Sequence, residues 1–485
     1  MDDDATPEIA ATPASLGPYP PRPGNLVTPW IDGVPFYQRL AAALRAARSR
    51  VWAVVSFIQP SFRFPDGTSW WDMLDECHAR GVDVRVLFWR NPRFFKTAHV
   101  FLGGPSDREF LARRGAAWAA RWDSSGDDAA HCHHQKAFVV DADEPGALAF
   151  VGGMVLSSAT LAHPGHRHGL EKHDAMLELR GPVVADVGGN FVQRWNLARI
   201  DVEAPAWPDE LRAGPLPALV RAPAACGEVV VQLCRTLTSG LYGVTEGEAT
   251  ILEHYRRAFA AARRTIYIEN QHAGEASLLA GLAEALARGV RVVMVVPGDP
   301  MAAIYRASAE VAALARSGRA DEHRYGPVFQ RLAALASDPN FTLAALARSE
   351  PGEPGEPGEP GQPPWRHREI YNHAKLCVVD GAWMTLGSAN FVDLSLHRDH
   401  TELNASVWGR DTCLPLLRRL VAEHTDERLD DLDDLDDLAA LAALAALARA
   451  SRASLLAGGP VLGGCYALDP ARYGQDPPLT GPVRS

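Results

Sequence analysis

The sequence predicts an α/β protein made of two similar α/β/α half-domains with mostly parallel sheets, related by a pseudo-two-fold axis. Three observations predict it. Apolar strand-like runs alternate with helix-like runs, the signature of βαβ units. The same succession returns in the second part of the chain. A short polar motif occurs twice, at matching places in the two successions.

The elements follow in order. Residues 1–25 are acidic and proline-rich and read as a disordered leader. They have no basic n-region and no apolar h-region, so they are not a Sec-type signal. "FYQRLAAALRAARSR" is an alanine-rich helix and "VWAVVSFI" a buried strand. "WWDMLDECHARG" is a helix ending at Gly81, and "VDVRVLFW" the next strand. Trp70 and Trp71 are expected in the core. In the second part, "ILEHYRRAFAAARRTIYIENQ" and "SLLAGLAEALARGVRVVMVVP" repeat helix then strand. Gly289-Val290 stands 208 residues after Gly81-Val82. These repeats bound a first half-domain at 26–205, a linker at 206–226 and a second half-domain at 227–425. A proline-glycine insertion at 350–364 reads as a solvated loop. Residues 426–485 form a C-terminal extension whose Leu/Ala helix is expected to pack on the body, since it lacks the basic face of an interfacial helix.

Composition excludes some classes. The chain has 485 residues, 47% hydrophobic and 22% charged, enough for a large core. A net charge of −11 opposes non-specific nucleic-acid binding. No stretch is read as approaching the ~20 apolar residues of a bilayer span. Seven dispersed cysteines without a CxxC pair suggest reduced thiols.

The polar motif is "HCHHQKAFVVD" at 131–141 and "NHAKLCVVD" at 372–380. Both contain H-x-K-x-x-x-x-D. His134, Lys136 and Asp141 are each 239 residues before His373, Lys375 and Asp380. On a strand, alternation sends the histidine and lysine to one face. An imidazole beside an ammonium suits a phosphate: the lysine neutralises oxygens while the histidine attacks phosphorus or moves a proton. In-line displacement wants two histidines, one on each side of phosphorus, and two facing half-domains supply them. Each aspartate falls on the face opposite its lysine, where a structural or orienting role is expected. A metal reading of "HCHH" finds no matching cluster in the second copy and needs ligands from elsewhere. His131 and His133 are therefore expected as site-lining or structural groups.

At these residues the chain resembles the phospholipase D superfamily with paired HKD motifs. Beyond the motifs, "AFVGG", "KHDAMLELRGPVVADVGGNFVQRWN", "VVVQLCRT", "IYIENQ", "LGSANF" and "RDHTELN" are similar, in order, to the catalytic region of the eukaryotic-type phospholipases D. The similarity runs over roughly residues 30–410. It implies the duplicated phospholipase D fold and a two-step reaction without cofactor or metal. His134 is the implied nucleophile and His373 the implied acid and base. Lys136 and Lys375 hold phosphate oxygens; with Asp141 and Asp380 they complete the candidate catalytic set. Ser388 and Asn390 match phosphate-site positions. Asp174 and Glu402 match acidic groups that orient the histidines, a common second-shell device.

Two departures bear on substrate. Val155 of "GGMV" stands where relatives often carry Asn or Asp, leaving a contact missing or supplied by Ser157 or Ser158. "IENQ" runs into "HAGEAS" rather than aromatic residues. Glu269, Asn270 and Gln271 fit loop capping or a site role equally. "RWN" (194–196) reads as a packing and hydrogen-bond unit. The implied activity is hydrolysis of glycerophospholipids to phosphatidic acid and headgroup, with headgroup exchange. The alternatives are a cardiolipin-synthase-like phosphatidyltransferase and a nuclease or other phosphodiesterase. A phospholipid at a membrane surface, met peripherally, is the expected partner. No nucleic acid and no obligate protein partner are expected, because both motifs lie in one chain. The expected location is cytoplasmic or peripheral to a membrane, with non-Sec export also open.

Overall fold

The computed structural model describes residues 16–90, 101–125, 131–167, 172–198, 213–219, 221–352, 365–397, 400–427, 429–432, 434–476 and 479. The leader up to residue 15, part of the linker and most of the proline-glycine insertion lie outside them.

The first half contains β1 (Arg22–Ile31), α1 (Gly33–Ala46), β2 (Arg50–Val55), α2 (Trp70–Ala79), β3 (Asp83–Trp89), α3 (Pro105–Arg114), β4 (Ala119–Asp123), β5 (Cys132–His133), β6 (Ala137–Val140), β7 (Leu148–Gly152), β8 (Lys172–His173), β9 (Ala175–Arg180) and α4 (Val184–Leu197). Arg22–Asn25, read from sequence as the end of a leader, begin a strand. The main sheet runs β4-β3-β2-β6-β7-β9-β1. Only β2–β3 and β3–β4 pair in parallel; the other four pairs are antiparallel. The expectation of mostly parallel pairing thus applies to the βαβ part alone. A helix fits between β2 and β3, but the seven-residue turn between β6 and β7 is too short for a crossover.

Both sheet faces are covered, which explains the continuous apolar strands. Leu40 and Leu44 of α1 and Trp70 and Met73 of α2 pack in one cluster with Val51, Ala53 and Val55. On the other face Trp52 stacks on Phe191 of α4, at 5.2 Å between ring centroids. Ser69 caps α2 by accepting from the Asp72 N–H at 3.0 Å. Gly81, at φ 85°, closes it in the left-handed region that glycine tolerates.

The second half contains β10 (Val229–Leu237), β11 (Glu248–Ala249), α5 (Thr250–Ala261), β12 (Thr265–Asn270), α6 (Ala276–Ala287), β13 (Arg291–Val295), α7 (Ala302–Ala315), α8 (Gly326–Leu335), β14 (Phe341–Pro351), β15 (Trp365–Asn372), β16 (Lys375–Val379), β17 (Trp383–Gly387), α9 (Asp393–Leu396), β18 (His400–Trp408) and α10 (Arg410–Thr425). Its sheet runs β14-β13-β12-β16-β17-β18-β10. The order and pairing senses repeat those of the first half strand for strand. β10 also pairs with β1, so the two sheets join at that edge. The large cluster between them holds Val151, Leu177 and Phe191 from one half with Leu376, Leu386 and Leu403 from the other.

The extension contains α11 (Leu429–Leu432), α12 (Asp437–Leu456) and β19 (Cys465–Ala467), which pairs with β14. By length and composition α12 is long and apolar enough to cross a membrane. The sequence reading that no stretch comes near that limit is corrected here: the preceding aspartate run hid the Leu/Ala repeat. Its Leu441, Leu444, Ala445 and Ala448 are buried in the central cluster, and its first residue, Asp437, accepts from Thr265 Oγ1 at 2.8 Å.

Two short strands cross between the halves. Cys132–His133, just before His134, pairs with His400–Thr401, just before Glu402. Tyr371–Asn372, just before His373, pairs with Lys172–His173, just before Asp174. The pseudo-symmetry thus delivers each motif's histidine to the other half's acid.

Candidate active site

The crossing strands fix the site geometry. The His134 N–H donates to the Thr401 carbonyl at 3.1 Å, and the His373 N–H to the His173 carbonyl at 2.8 Å. Beyond these bonds, His134 Nδ1 lies 2.8 and 2.9 Å from the two oxygens of Glu402. His373 Nδ1 lies 2.7 Å from Asp174 Oδ2. Lys136 Nζ donates to the His134 carbonyl at 2.6 Å, and Lys375 Nζ donates to the His373 carbonyl. All six groups are buried or nearly so. Each Nε2 is thereby the outward atom of a ring whose Nδ1 is engaged.

The two pairs differ electrostatically. Burial pushes the His134 imidazole down to about 3, against the pull of Glu402. Burial acts to raise Glu402, but the His134 ring and its hydrogen bond hold it well below the carboxylate range. Glu402 is therefore an ionised acceptor, Nδ1–H is the donor, and His134 Nε2 keeps its lone pair. Burial raises the Asp174 carboxyl to about 7, with Lys375 pulling the other way. Burial and the charges of Lys375, Lys172 and Lys136 push His373 well below its usual value. Lys375 is itself lowered to about 7 by burial. The influence of Lys136 and His134 on His373 places both motifs in one electrostatic centre.

The two acids are also seated differently. Ser388 Oγ donates to Glu402 Oε2 at 2.5 Å and accepts from the Leu403 N–H at 3.0 Å. In the first half its counterpart is Gly153, where an added Cβ would overlap Asp174 Oδ1. The longer acid pairs with serine; the shorter one pairs with glycine and is held by the Ala175 N–H at 2.8 Å. Ser388, expected at the phosphate, is a brace for Glu402. Asn390 is 6% exposed, and its Oδ1 is buried without a hydrogen-bond partner.

The motif aspartates stand apart from the histidines. Seven residues of near-extended chain separate His134 from Asp141, about 20 Å at strand geometry. Asp141 accepts from the N–H groups of Arg48, Ser49 and Arg50; Asp380 accepts from those of Arg263, Arg264 and Thr265. Both sit at φ 53°. They fasten the helix-to-strand turns before β2 and β12, which moves them out of the reacting centre. Asp380→Ala should lower stability by about 2–4 kcal/mol, since it orphans three donors. Asp380→Asn, which keeps an acceptor and tolerates the left-handed region, should cost less. Thermal denaturation of both variants checks the ranking.

The remaining candidates sort as follows. Cys132 packs in an apolar cluster with Trp89 and Leu102. His133 is buried 3.6 Å from Asp123, beside the buried Arg194–Asp123 pair. Asn196 holds Leu216 through two bonds of 2.8 Å, so "RWN" secures the linker. Asn270 Oδ1 caps the loop by accepting from the N–H groups of His272 and Phe391. Gln271 Oε1 accepts from Lys375 Nζ at 3.3 Å, and Gln271 Nε2 donates to the Tyr371 hydroxyl at 2.9 Å. Ser157 caps a short 3-10 turn, Ser158 bonds Gln59, and the Val155 carbonyl accepts from Tyr37.

Sequence reasoning missed several groups. The Phe57 ring meets His134 edge-on at 5.8 Å, with Lys136 Nζ 5.8 Å from its centroid. Phe57 holds φ 55°, a strain consistent with a wall of the site. His400 lies 5.6 Å from the His134 ring, and Lys172 lies over Tyr371. His272 is half-buried and pushed down to about 3 by desolvation and by Lys375. Only His400 carried a signal, its place two residues before Glu402.

The fold has a solved counterpart. Phosphatidylserine synthase from Haemophilus influenzae Rd KW20 superposes with a TM-score of 0.53 at 14% identity, over 89% of this chain and 94% of that one. That enzyme belongs to the phospholipase D superfamily. The chain has the duplicated phospholipase D fold. Polyphosphate kinase from Porphyromonas gingivalis is similar at a TM-score of 0.47 and 11% identity, over 87% of this chain and 54% of that one. No protein-family model and no curated protein matches the sequence. The H-x-K segments that lead into β6 and β16 are each completed by an acid of the opposite half.

Proposed function

We propose that this chain is a phospholipase D-type phosphodiesterase that converts glycerophospholipids to phosphatidic acid and free headgroup. One observation carries the reading: two histidines from opposite halves, each locked at Nδ1 by an acid from the other half, and each followed two residues on by a buried lysine.

His134 Nε2 forms the bond to phosphorus while the bond to the headgroup oxygen breaks. His373 Nε2 gives that oxygen its proton, and His373 Nδ1 takes one from the Asp174 carboxyl. Water then attacks phosphorus, its proton goes to His373, and the N–P bond breaks. Lys136 and Lys375 neutralise the non-bridging oxygens in a dry site, where charge stabilisation is strongest. No step calls on a metal. An acceptor alcohol in place of water gives phosphatidyl transfer. The likeness to a phosphatidylserine synthase favours that as a second reading of the same site.

The test is product analysis from mixed phospholipid vesicles with and without ethanol. Phosphatidic acid, joined by phosphatidylethanol when ethanol is present, is the expected result. A product only when a headgroup alcohol is added would favour the transferase. Cleavage of DNA or simple phosphodiesters without lipid products would overturn both.

A further inference from the structure

Behind the His373–Asp174 pair lies a second buried polar group, drawn from both halves. Asp32 follows β1 at the N-cap of α1, His166 and His173 precede β9, and Glu423 lies near the end of α10. His166 Nε2 is 3.1 Å from Asp32 Oδ2, 3.1 Å from Glu423 Oε1 and 3.1 Å from His173 Nδ1. His173 Nδ1 is 3.1 Å from Asp32 Oδ1 and 3.7 Å from Glu423 Oε1. One donor atom from each of the four residues lies within 4.8 Å of all the others.

With one hydrogen per ring, hydrogen bonds do not account for this packing. An imidazole nitrogen carries at most one hydrogen, yet His166 Nε2 meets three polar atoms at one distance. Asp32 is fully buried, and its Oδ2 makes no hydrogen bond of acceptable angle. His173 Nε2 lies 2.8 Å from Glu269 Oε2. Donating there leaves Nδ1 facing the Asp32 oxygen, a contact that needs either a second ring hydrogen or a cation between the two atoms. Buried lone pairs facing each other are costly unless a cation stands between them. The spacings also have the right size. Arms of ~2.0–2.1 Å in a tetrahedron give edges of about 3.3 Å, close to the separations found. An outer carboxylate that holds the far nitrogen of a ligand histidine is typical of metal centres. Glu269 does this here, and it is itself held by His424 Nε2 at 2.8 Å and by the Tyr267 hydroxyl.

We infer that Asp32, His166, His173 and Glu423 form a four-ligand site for a divalent transition ion of the zinc class, with Glu269 as its outer support. Two imidazoles and two carboxylates in a compact tetrahedron suit zinc better than calcium or magnesium, which take more oxygens. The role is structural. The His173 carbonyl receives the His373 N–H, and the Asp32 N–H donates to the Asp174 carbonyl at 2.9 Å. The ion therefore pins the segment carrying Asp174, and with it the orientation of His373, while joining β1 to α10 across the two halves.

The site does not rest on the phosphodiesterase reading and is tested without turnover. Full-length protein, purified without chelators, is assayed for metals by plasma mass spectrometry, by X-ray absorption and by thermal denaturation. About one zinc, iron or manganese per chain is expected, with nitrogen and oxygen at ~2.0 Å and no sulfur at ~2.3 Å. Glu423→Gln and His166→Ala should each lower metal content at least fivefold. Dipicolinate should lower the melting temperature by several degrees, and added zinc should restore it. Protein without metal whose melting temperature ignores dipicolinate, Zn(II), Fe(II) and Mn(II) would overturn the site. So would a sulfur ligand, which would place the ion at a cysteine. Should a variant fail to fold, the stoichiometry and absorption spectrum of the wild-type protein still decide.

Discussion

His134→Ala should abolish covalent capture of phosphorus and reduce turnover by at least ~10³-fold, while His373→Ala should leave capture possible. The distinction follows from the two acids. Glu402 is ionised and fixes the Nδ1 hydrogen of His134, so Nε2 is a lone-pair donor at neutral pH. Asp174 stays protonatable up to about 7, so the His373 side can supply a proton. A substrate that leaves as p-nitrophenolate needs little protonation. With it, His373→Ala should release p-nitrophenol in the first turnover and then stall, since nothing activates the water. Intact mass after an acid-free quench should show the phosphoryl adduct on His373→Ala and none on His134→Ala. An adduct on the His134 variant alone would reverse the two roles. Wild-type turnover in either would remove the paired-histidine mechanism.

Much of this arrangement is written locally in the chain, and part of it is not. The duplication is legible because helix, glycine and strand recur with the same chemistry, and the left-handed Gly81 and Gly289 close equivalent helices. The H-x-K pairs are legible because strand alternation needs no tertiary information. Sheet sense is less so. Alternating elements suggest parallel neighbours, yet the short Asp141–Ala147 turn forces β6 and β7 antiparallel. The Ser388 motif specifies position and not orientation. Its hydroxyl turns inward to Glu402 once β17 and β18 pair. The Asp32–His166–His173–Glu423 group is invisible in sequence. Its members have no shared period, and Asp32 and Glu423 meet only because β1 and α10 pack against each other across the halves.

Glu402→Gln should reduce turnover by about 10³–10⁴-fold with little change in apparent lipid affinity, a size typical when an orienting acid becomes an amide. The direction of the amide decides the effect. The Leu403 N–H donates to Ser388 Oγ, so the Ser388 hydrogen points at the residue-402 side chain. That hydrogen attracts the amide oxygen and leaves the NH₂ facing His134 Nδ1. The NH₂ can only donate, so His134 must carry its hydrogen on Nε2, and the attacking lone pair is lost. Glu402 acts through His134 and is a positioning residue, so the pH profile is the sharper readout. In the wild-type protein burial keeps His134 neutral down to about 3, and lowering the pH through 6–7 should cost no activity. Raising it through about 7 should, because Asp174 and Lys375 both lose protons there. E402Q should lower the whole curve and leave the basic limb in place, whereas Asp174→Asn should remove the Asp174 contribution to that limb. Adding S388A to E402Q frees the amide to turn its oxygen toward Nδ1. The double variant should therefore recover part of the lost rate, although Ser388→Ala alone weakens the wild-type site. If the double variant is instead slower than E402Q, tautomer control by Glu402 is not what sets the rate.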